Sequence, residues 1–412
     1  MGGFPEEERR KILKEVLEQL HAGASPEEVK EKFKRVLEGV SAQEIAKIEQ
    51  ELVEEGVARE ALQRLCDLHL AIFKEQLEKQ KVEAAPGSPV EILLEEHKFL
   101  QELLTRLSES ADKVQRAENL DAIREEIYQI RHIAKDFLDA EKHYLREENA
   151  LFPVLEKHGV TEPPAIMWME HNQLRELKKQ LASLIENVEF MEFGEFKRKL
   201  AEVSNAINRV LSSHIFKENK ILFPTALQVV TEQEWQGIRE DFDEIGYCCF
   251  TLEKAIAKLE KPTVEKPKAE EKPIREGLLE FETGKLAREE IEAILNTLPV
   301  DITFVDKDDV VKFFNKAEKR IFVRTKSVIG RKVQLCHPQK SIHIVNRILE
   351  AFKNGKRDVA EFWINVGNRL IHIRYFAVRD KEGKYLGTLE VTQDITDLKK
   401  IEGEKRLLDW EG

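Results

Sequence analysis

The chain has 412 residues, 35% of them charged, and a formal net charge of −12. That length is too great for one ordinary domain and implies two to four. The acidic balance argues against a nucleic-acid-binding surface, since phosphate binding needs a basic face that releases counterions. The N-terminus, MGGFPEEERRKILKEVLEQL, lacks the apolar run of a signal peptide, and no stretch approaches the ~18–20 uninterrupted apolar residues that cross a bilayer. A cytoplasmic protein without a membrane span is therefore expected. The four cysteines, Cys66, Cys248, Cys249 and Cys336, show no CxxC spacing, as suits reduced thiols.

Two composition shifts divide the chain into three pieces. Pro and Gly interrupt helical sequence at 82–89 (VEAAPGSP), and KPTVEKPKAEEKP at 261–273 suits an extended, solvated linker; the linker is placed at 261–277. The piece over 1–82 reads as a small all-α unit, with Ile12, Val16, Leu17, Leu20, Ile45, Ile48 and Leu52 at helical spacing. Ser25-Pro-Glu-Glu28 and Ser41-Ala-Gln-Glu44 are capping-box patterns that start helices near Pro26 and Ala42. Through LHAG around His21 and LCDLH at 65–69, it resembles N-terminal domains of unknown function that precede hemerythrin-like and PAS segments. His21, Cys66 and His69 are read as part of a packed helical face.

The middle piece, 89–260, is helical, with amphipathic stretches near 89–117, 120–157, 163–190 and 194–224 and a further helix after Thr231. It contains a repeat: HYLREENALFP from His143 matches HIFKENKILFP from His214, and each half carries an earlier Glu-His pair, Glu96-His97 and Glu170-His171. The separations, 46 residues from His97 to His143 and 43 from His171 to His214, are nearly equal. Residues four apart share a helix face, so His143 with Glu147, and His214 with Glu218, can point into one interior space. With His97 and His171 from the other two helices, four imidazoles and two carboxylates would face a common centre. Six ligands suit two metals better than one, and a mixed nitrogen and carboxylate set favours iron, manganese or zinc over calcium. A lone histidine on an apolar face is more often a satisfied core residue than a ligand; four of them phased with two glutamates are much harder to dismiss as a structural bundle.

These residues closely resemble the hemerythrin-like (HHE) family. The resemblance implies a four-helix bundle holding two iron ions, oxo- or hydroxo-bridged, with His97, His143, Glu147, His171, His214 and Glu218 as ligands. Oxygen-carrying members place a second histidine four residues after the third-helix one, whereas Arg175 follows His171 here. Either Glu148, Glu96 or Glu170 compensates, or a position stays open to water or a small molecule, which favours reactivity or sensing over oxygen storage. His132, three turns before His143 and so about 16 Å away by helix rise, is read as core or second layer. His158, before Gly159, is placed at a helix end where a cation favours the dipole.

From Leu298 the pattern changes to β-branched and aromatic runs separated by turn signals. Through DITFVDKDDVVKFFNKA, GRKVQLCHP at 330–338 and the closing DIT at 394–396, residues 280–400 resemble a PAS domain, which implies a five-stranded antiparallel sheet with helices on one side and an opening hairpin leading into a helix. The PAS ligand stays open; Cys336, His337 and His343 could ligate a haem, but a structural His-Pro turn is the preferred reading. Asn315 is expected to cap the following helix, Trp363 to pack on the sheet, and KKIEGEKRLLDWEG to form a short amphipathic helix. The whole is thus read as multidomain: an all-α unit, a hemerythrin-like four-helix bundle and an α+β PAS domain. The expected function is a di-iron sensor of O2, NO or redox state that signals through the PAS domain, a possible homodimer contact, to an unknown protein. No catalytic residue is assigned. The alternatives are a di-iron protein that consumes O2, peroxide or NO or handles iron for repair, and a non-catalytic helical scaffold.

Overall fold

The computed structural model describes residues 84–251 and 278–405, with isolated positions between 8 and 19. The unit expected over 1–82, its helix starts and the linker at 261–277 lie outside the described residues. Cα packing divides the chain into two compact units at Pro262 and Thr263.

In the first unit, helix α1 (Pro89–Arg116) starts where the Ser88 side chain accepts from the Glu91 amide, with proline in its first turn; proline there loses no helical hydrogen bond. The second long stretch is broken into α2 (Arg124–Asp139), α3 (Glu141–Arg146), a π-helical turn (Glu147–Leu151) and α4 (Phe152–Lys157). Helix α5 spans Glu162–Glu186. The fourth stretch repeats the second: α6 (Phe193–Lys217), a π-helical turn (Glu218–Leu222) and α7 (Phe223–Val229). Both π-turns stand just ahead of a Phe-Pro pair, at Pro153 and Pro224. In a continuous α-helix each proline ring would press on the carbonyl four residues earlier and leave it unbonded; a wider turn at that point relieves the conflict, and such turns recur at functional sites. Helix α8 (Glu232–Ile245) follows, opened by a full capping box between Thr231 and Glu234. The four expected stretches and the fifth helix are all present, with the fourth running on to Val229.

Two apolar clusters hold this unit. One gathers Leu100, Leu107, Ile130, Phe137, Leu181 and Ile207, the other Leu93, Leu151, Phe152, Met167, Phe223 and Phe242. Each fully buried side chain of this kind contributes about 1.5–3 kcal/mol. On every long helix the histidine falls between the two clusters: His97 between Leu93 and Leu100, His171 between Met167 and Leu174, His143 between Ala140 and Ala150, and His214 between Leu211 and Leu222. The interior is therefore apolar at both ends and polar across its middle. Burying unpaired charge is unfavourable, so stability comes from the two ends and the middle layer has another purpose.

His132 is corrected: it is exposed and stacks edge-on with Tyr128, with ring centroids 4.5 Å apart. The break at Ala140 shifts the helical phase between α2 and α3, so Ile130 and Ile133 take the interior positions instead.

The second unit has a short hairpin, β1 (Leu279–Phe281) with β2 (Gly284–Leu286), helix α9 (Arg288–Thr297), and a five-stranded antiparallel sheet of β3 (Asp301–Asp306), β4 (Val311–Phe314), β5 (Val359–Val366), β6 (Arg369–Arg379) and β7 (Tyr385–Asp394) in the order β4-β3-β7-β6-β5. Helix α10 (Gln339–Lys353) crosses between β4 and β5. The opening hairpin is there, but it leads into two short 3-10 turns, Lys326–Val328 and Val333–Cys336, rather than a helix. Asn315 accordingly caps no following helix: fully buried, it accepts from the Ile302 amide (2.7 Å) and donates to the Leu295 and Val300 carbonyls, tying the end of α9 to β3. Trp363 does not pack on the sheet; it is 67% exposed, because β5 is an edge strand open on both faces. After Leu398–Lys400 forms a 3-10 turn, residues 401–405 are not helical, and the rest of the expected terminal helix lies outside the described residues. No described helix is long and apolar enough to cross a membrane.

Candidate metal centre

His97, His143, Glu147, His171, His214 and Glu218 converge in the polar middle layer of the bundle, none more than 1% exposed. Two groups of close ligand atoms result: Glu147, His171, His214 and Glu218 form one, and His97, His143 and Glu218 the other. Glu218 belongs to both. One of its oxygens lies 2.9 Å from His214 Nε2 and 3.9 Å from His171 Nε2, the other 2.9 Å from His97 Nε2. Glu147 Oε2 lies 3.2 Å from His171 Nε2 and 3.7 Å from His143 Nε2. His97 and His143 approach through their Nε2 atoms at 3.3 Å.

Every imidazole is held from behind. Nδ1 of His143 donates to Glu96 (2.7 Å), that of His171 to Glu148 (2.8 Å), that of His214 to Glu170 (2.9 Å) and that of His97 to the Asn219 amide oxygen (2.8 Å). With Nδ1 protonated, the Nε2 lone pair is free to point inward, the usual arrangement behind a metal-binding histidine. Glu96, Glu148 and Glu170, the candidates to replace a missing ligand, are thus engaged in orienting histidines. Arg175 faces away from the centre, toward Glu148 (2.9 Å) and Glu141 (2.8 Å). Among the described residues, none takes the place of the absent histidine.

The centre fits a cation by its own polar balance. All four carboxylate oxygens of Glu147 and Glu218, and Nε2 of His171 and His214, are buried without a properly formed hydrogen bond. Lone pairs facing one another in a dry interior are costly unless a cation sits among them. The electrostatics agree. Burial, then the nearby Glu218, pushes the Glu147 carboxyl well above the usual range. Burial acts the same way on Glu218, but the His214 charge and its imidazole neighbours overcome it and hold that carboxyl well below. Burial drives His143 down to about 4 against the pull of Glu96, whereas Glu218 overcomes burial to raise His214 to about 9.

Aromatic rings seal the centre. Phe152 stacks on His171 and Phe223 on His97, with centroids 5.9 and 5.5 Å apart, so the repeated Leu-Phe-Pro places equivalent phenyl rings. Tyr144 covers the other face of His171 at 4.2 Å, and its hydroxyl accepts from Lys178 Nζ at 2.6 Å. Lys178 is buried, and burial lowers its ammonium to about 7.

Several participants escaped the sequence reading. Arg146 and Lys217, each three residues after a histidine of the repeat, bind Glu96 (2.7 Å) and Glu170 (2.6 Å); the shared basic position was the available signal. Asn219, Lys178 and Thr251 gave none. His158 does sit at a helix end, 2.9 Å from Glu234. In the second unit, Cys336 is buried with Sγ toward the Lys332 carbonyl, His337 Nδ1 donates to the Val333 carbonyl (2.9 Å), and His343 is exposed.

The sequence matches three family descriptions: a family of unknown function (DUF438) at residues 13–79, the hemerythrin HHE cation binding domain at 88–226 and a PAS domain at 291–396. Among solved structures, the chain is similar to a C-terminal domain from Streptococcus mutans, at 37% identity over 31% of this chain and 99% of that one, with a TM-score of 0.30. It is also similar to a PAS domain from Colwellia psychrerythraea (18% identity, 26% of this chain and 97% of that one, TM-score 0.22) and to a sensory box sensor histidine kinase from Vibrio cholerae (14% identity, 26% and 91%, TM-score 0.21). A search of the curated proteins found no match.

Proposed function

We propose that this chain, which carries a hemerythrin HHE cation binding domain and a PAS domain behind a DUF438 segment, is a cytoplasmic di-iron sensor of oxygen, nitric oxide or redox state. One observation carries the reading: six buried donors lie in two groups that share Glu218, with every Nδ1 occupied from behind. Two groups with one common carboxylate suit two ions joined by that carboxylate, and a set of imidazoles and carboxylates suits iron. His97, His143, Glu147, His171, His214 and Glu218 would hold the pair. Iron bound there supplies reversible one-electron chemistry and a position for a small ligand.

Arg175 supports sensing over storage, because it turns outward to Glu148 and Glu141 and leaves the inner side of its helix turn without a donor. The phenyl rings of Phe152 and Phe223 and the ring of Tyr144 limit access of bulk water. Altered charge in a buried site biases a two-state element, and the PAS domain, alone or as a homodimer, would pass that bias to a signalling protein.

Metal analysis of aerobically purified protein should give about two irons per chain, as this donor set implies, with a visible absorption that His143→Ala abolishes. Oxidised and reduced protein should differ in oligomeric state or in protease cleavage between 261 and 273. Identical behaviour in both states would overturn the sensing role, and steady consumption of O2 or NO by catalytic amounts of protein would replace it with turnover.

A further inference from the structure

Helix α8 ends at Ile245, and Gly246, with φ of 88°, turns the chain back along the first half of the bundle. A positive φ of this kind favours glycine, which has no Cβ to clash. The five residues that follow are fixed at every step to the layer behind His143. The Tyr247 carbonyl accepts from Lys142 Nζ (2.8 Å), and its ring lies 5.1 Å from the Arg146 guanidinium. Cys248, buried, has its sulfur 3.6 Å from Arg146 Nη2. The Cys249 amide donates to Asp139, and Phe250 stacks on Phe99 with centroids 4.4 Å apart. Thr251 then donates its hydroxyl to Glu96 Oε1.

Glu96 is the junction. Its Oε2 receives the His143 Nδ1 proton, both of its oxygens receive Arg146 Nη2 at 2.7 Å, and Oε1 receives Thr251. The first two donors come from α3 and the third from the segment that follows α8. A carboxylate that orients a ligand in this way tunes both the geometry and the basicity of the imidazole. A change at His143 must therefore be felt at Thr251, two bonds of a hydrogen-bonded relay away.

We propose that Thr251 is a positioning residue for His143, acting through Glu96, and that the 247–251 strap is the element by which the state of the centre reaches the chain beyond it. The proposal rests on His143 being a metal ligand. It gives the strap two positions, docked with Thr251 on Glu96 and released. Occupation of the centre favours the docked one, because a charged ion on Nε2 strengthens the Nδ1 bond to Glu96 and holds that carboxylate in the orientation Thr251 needs.

Cys248 reports the position of the strap. It is only 4% exposed, so the reagent cannot reach its sulfur and alkylation is slow while the strap is docked. The experiment uses the full chain with Cys249→Ser, treated with iodoacetamide before and after iron loading, and maps Cys248 by mass spectrometry. In the otherwise unchanged chain, loading should slow modification of Cys248 at least about tenfold, the lower end of what a backing hydrogen bond is worth in affinity. Thr251→Val should modify quickly in both states, bind iron about 10- to 100-fold more weakly and shift the visible absorption, whereas Thr251→Ser, which keeps the hydroxyl, should restore all three. Equal Cys248 rates with and without iron in a chain that binds iron would overturn the strap while leaving the metal centre standing, and this comparison needs no Thr251 variant to fold. A Thr251→Val chain with unchanged affinity and spectrum would overturn the positioning role. A chain that takes up no iron would remove the metal reading first and the proposal with it.

Discussion

The two halves of the bundle have the same skeleton and different backing. His97, His143, Glu147 and Phe152 in one correspond to His171, His214, Glu218 and Phe223 in the other, down to the π-turn ahead of each Phe-Pro. Behind the histidines they diverge. Glu148, paired with Arg175, supports His171, whereas the uncharged Asn219 supports His97. Tyr144 and Lys178 form a buried polar pair in one place where the repeat has Ile215 and Leu104, both buried, in the other. Among the described residues, only the first half carries a strap of this kind, the one that brings Thr251 to Glu96. The repeat thus preserves what faces the centre and the Glu96 and Glu170 supports of His143 and His214, and varies what stands behind His97 and His171. Two chemically similar groups of ligands can then differ in affinity and response without differing in ligand type.

The largest expected effect tests whether the two glutamates are equivalent, as their place in the repeat implies. Glu218 belongs to both ligand groups and Glu147 to one. Glu218→Ala should therefore lose essentially both ions, and Glu147→Ala should retain about one, measured as metal per chain after equilibration with a weak chelator. Equal losses would make the halves equivalent and remove the shared role given to Glu218.

A smaller effect separates the two backing carboxylates. Glu96→Gln and Glu170→Gln each leave a histidine with a weaker acceptor, and each should lower metal affinity about 10- to 100-fold. Only Glu96→Gln should also free the strap, read as faster alkylation of Cys248, because the Thr251 hydroxyl bonds to Glu96. If Glu170→Gln speeds that reaction as much, the effect is general loosening and the asymmetry between the halves has no consequence at the exit.

The sequence disclosed the inward face of this centre and little of its support. His143 and Glu147 are four residues apart on one helix and recur as His214 and Glu218, so periodicity alone phases them. The support comes from long-range contacts that have no period: Asn219 meets His97 across 122 residues and Thr251 meets Glu96 across 155. Where local rules were extended past a break in the chain they failed, as at His132, whose phase relative to His143 is lost at Ala140. In the second unit the alternating runs predicted the strands and their antiparallel sheet, but not that β5 would be an edge. Whether Trp363 is covered depends on strand order, which alternation does not encode.

The smallest effect concerns the polar pair that joins Tyr144 of one half to Lys178 of the other, where the repeat has Ile215 and Leu104. Lys178 is buried against the rings of Phe137 and Tyr144, and burial lowers its ammonium from 10.5 to about 7. A cation whose folded value is depressed binds protons less well in the folded chain than in the unfolded one, so it opposes folding fully below about pH 7, progressively less up to 10.5, and not at all above. Replacing the pair by Tyr144→Phe with Lys178→Leu removes that penalty without leaving a buried hydroxyl unbonded, and the phenyl ring still covers His171. The metal-free double variant should gain about 1–2 kcal/mol at pH 6.5, with the gain shrinking steadily toward pH 10, as measured by urea unfolding at several pH values. A gain independent of pH would place the stabilisation in apolar packing and show that Lys178 keeps an ordinary proton affinity inside the bundle. A loss at every pH would make the Lys178 to Tyr144 bond a net support of the bundle, more stabilising than the apolar side chains that hold the equivalent places at Ile215 and Leu104.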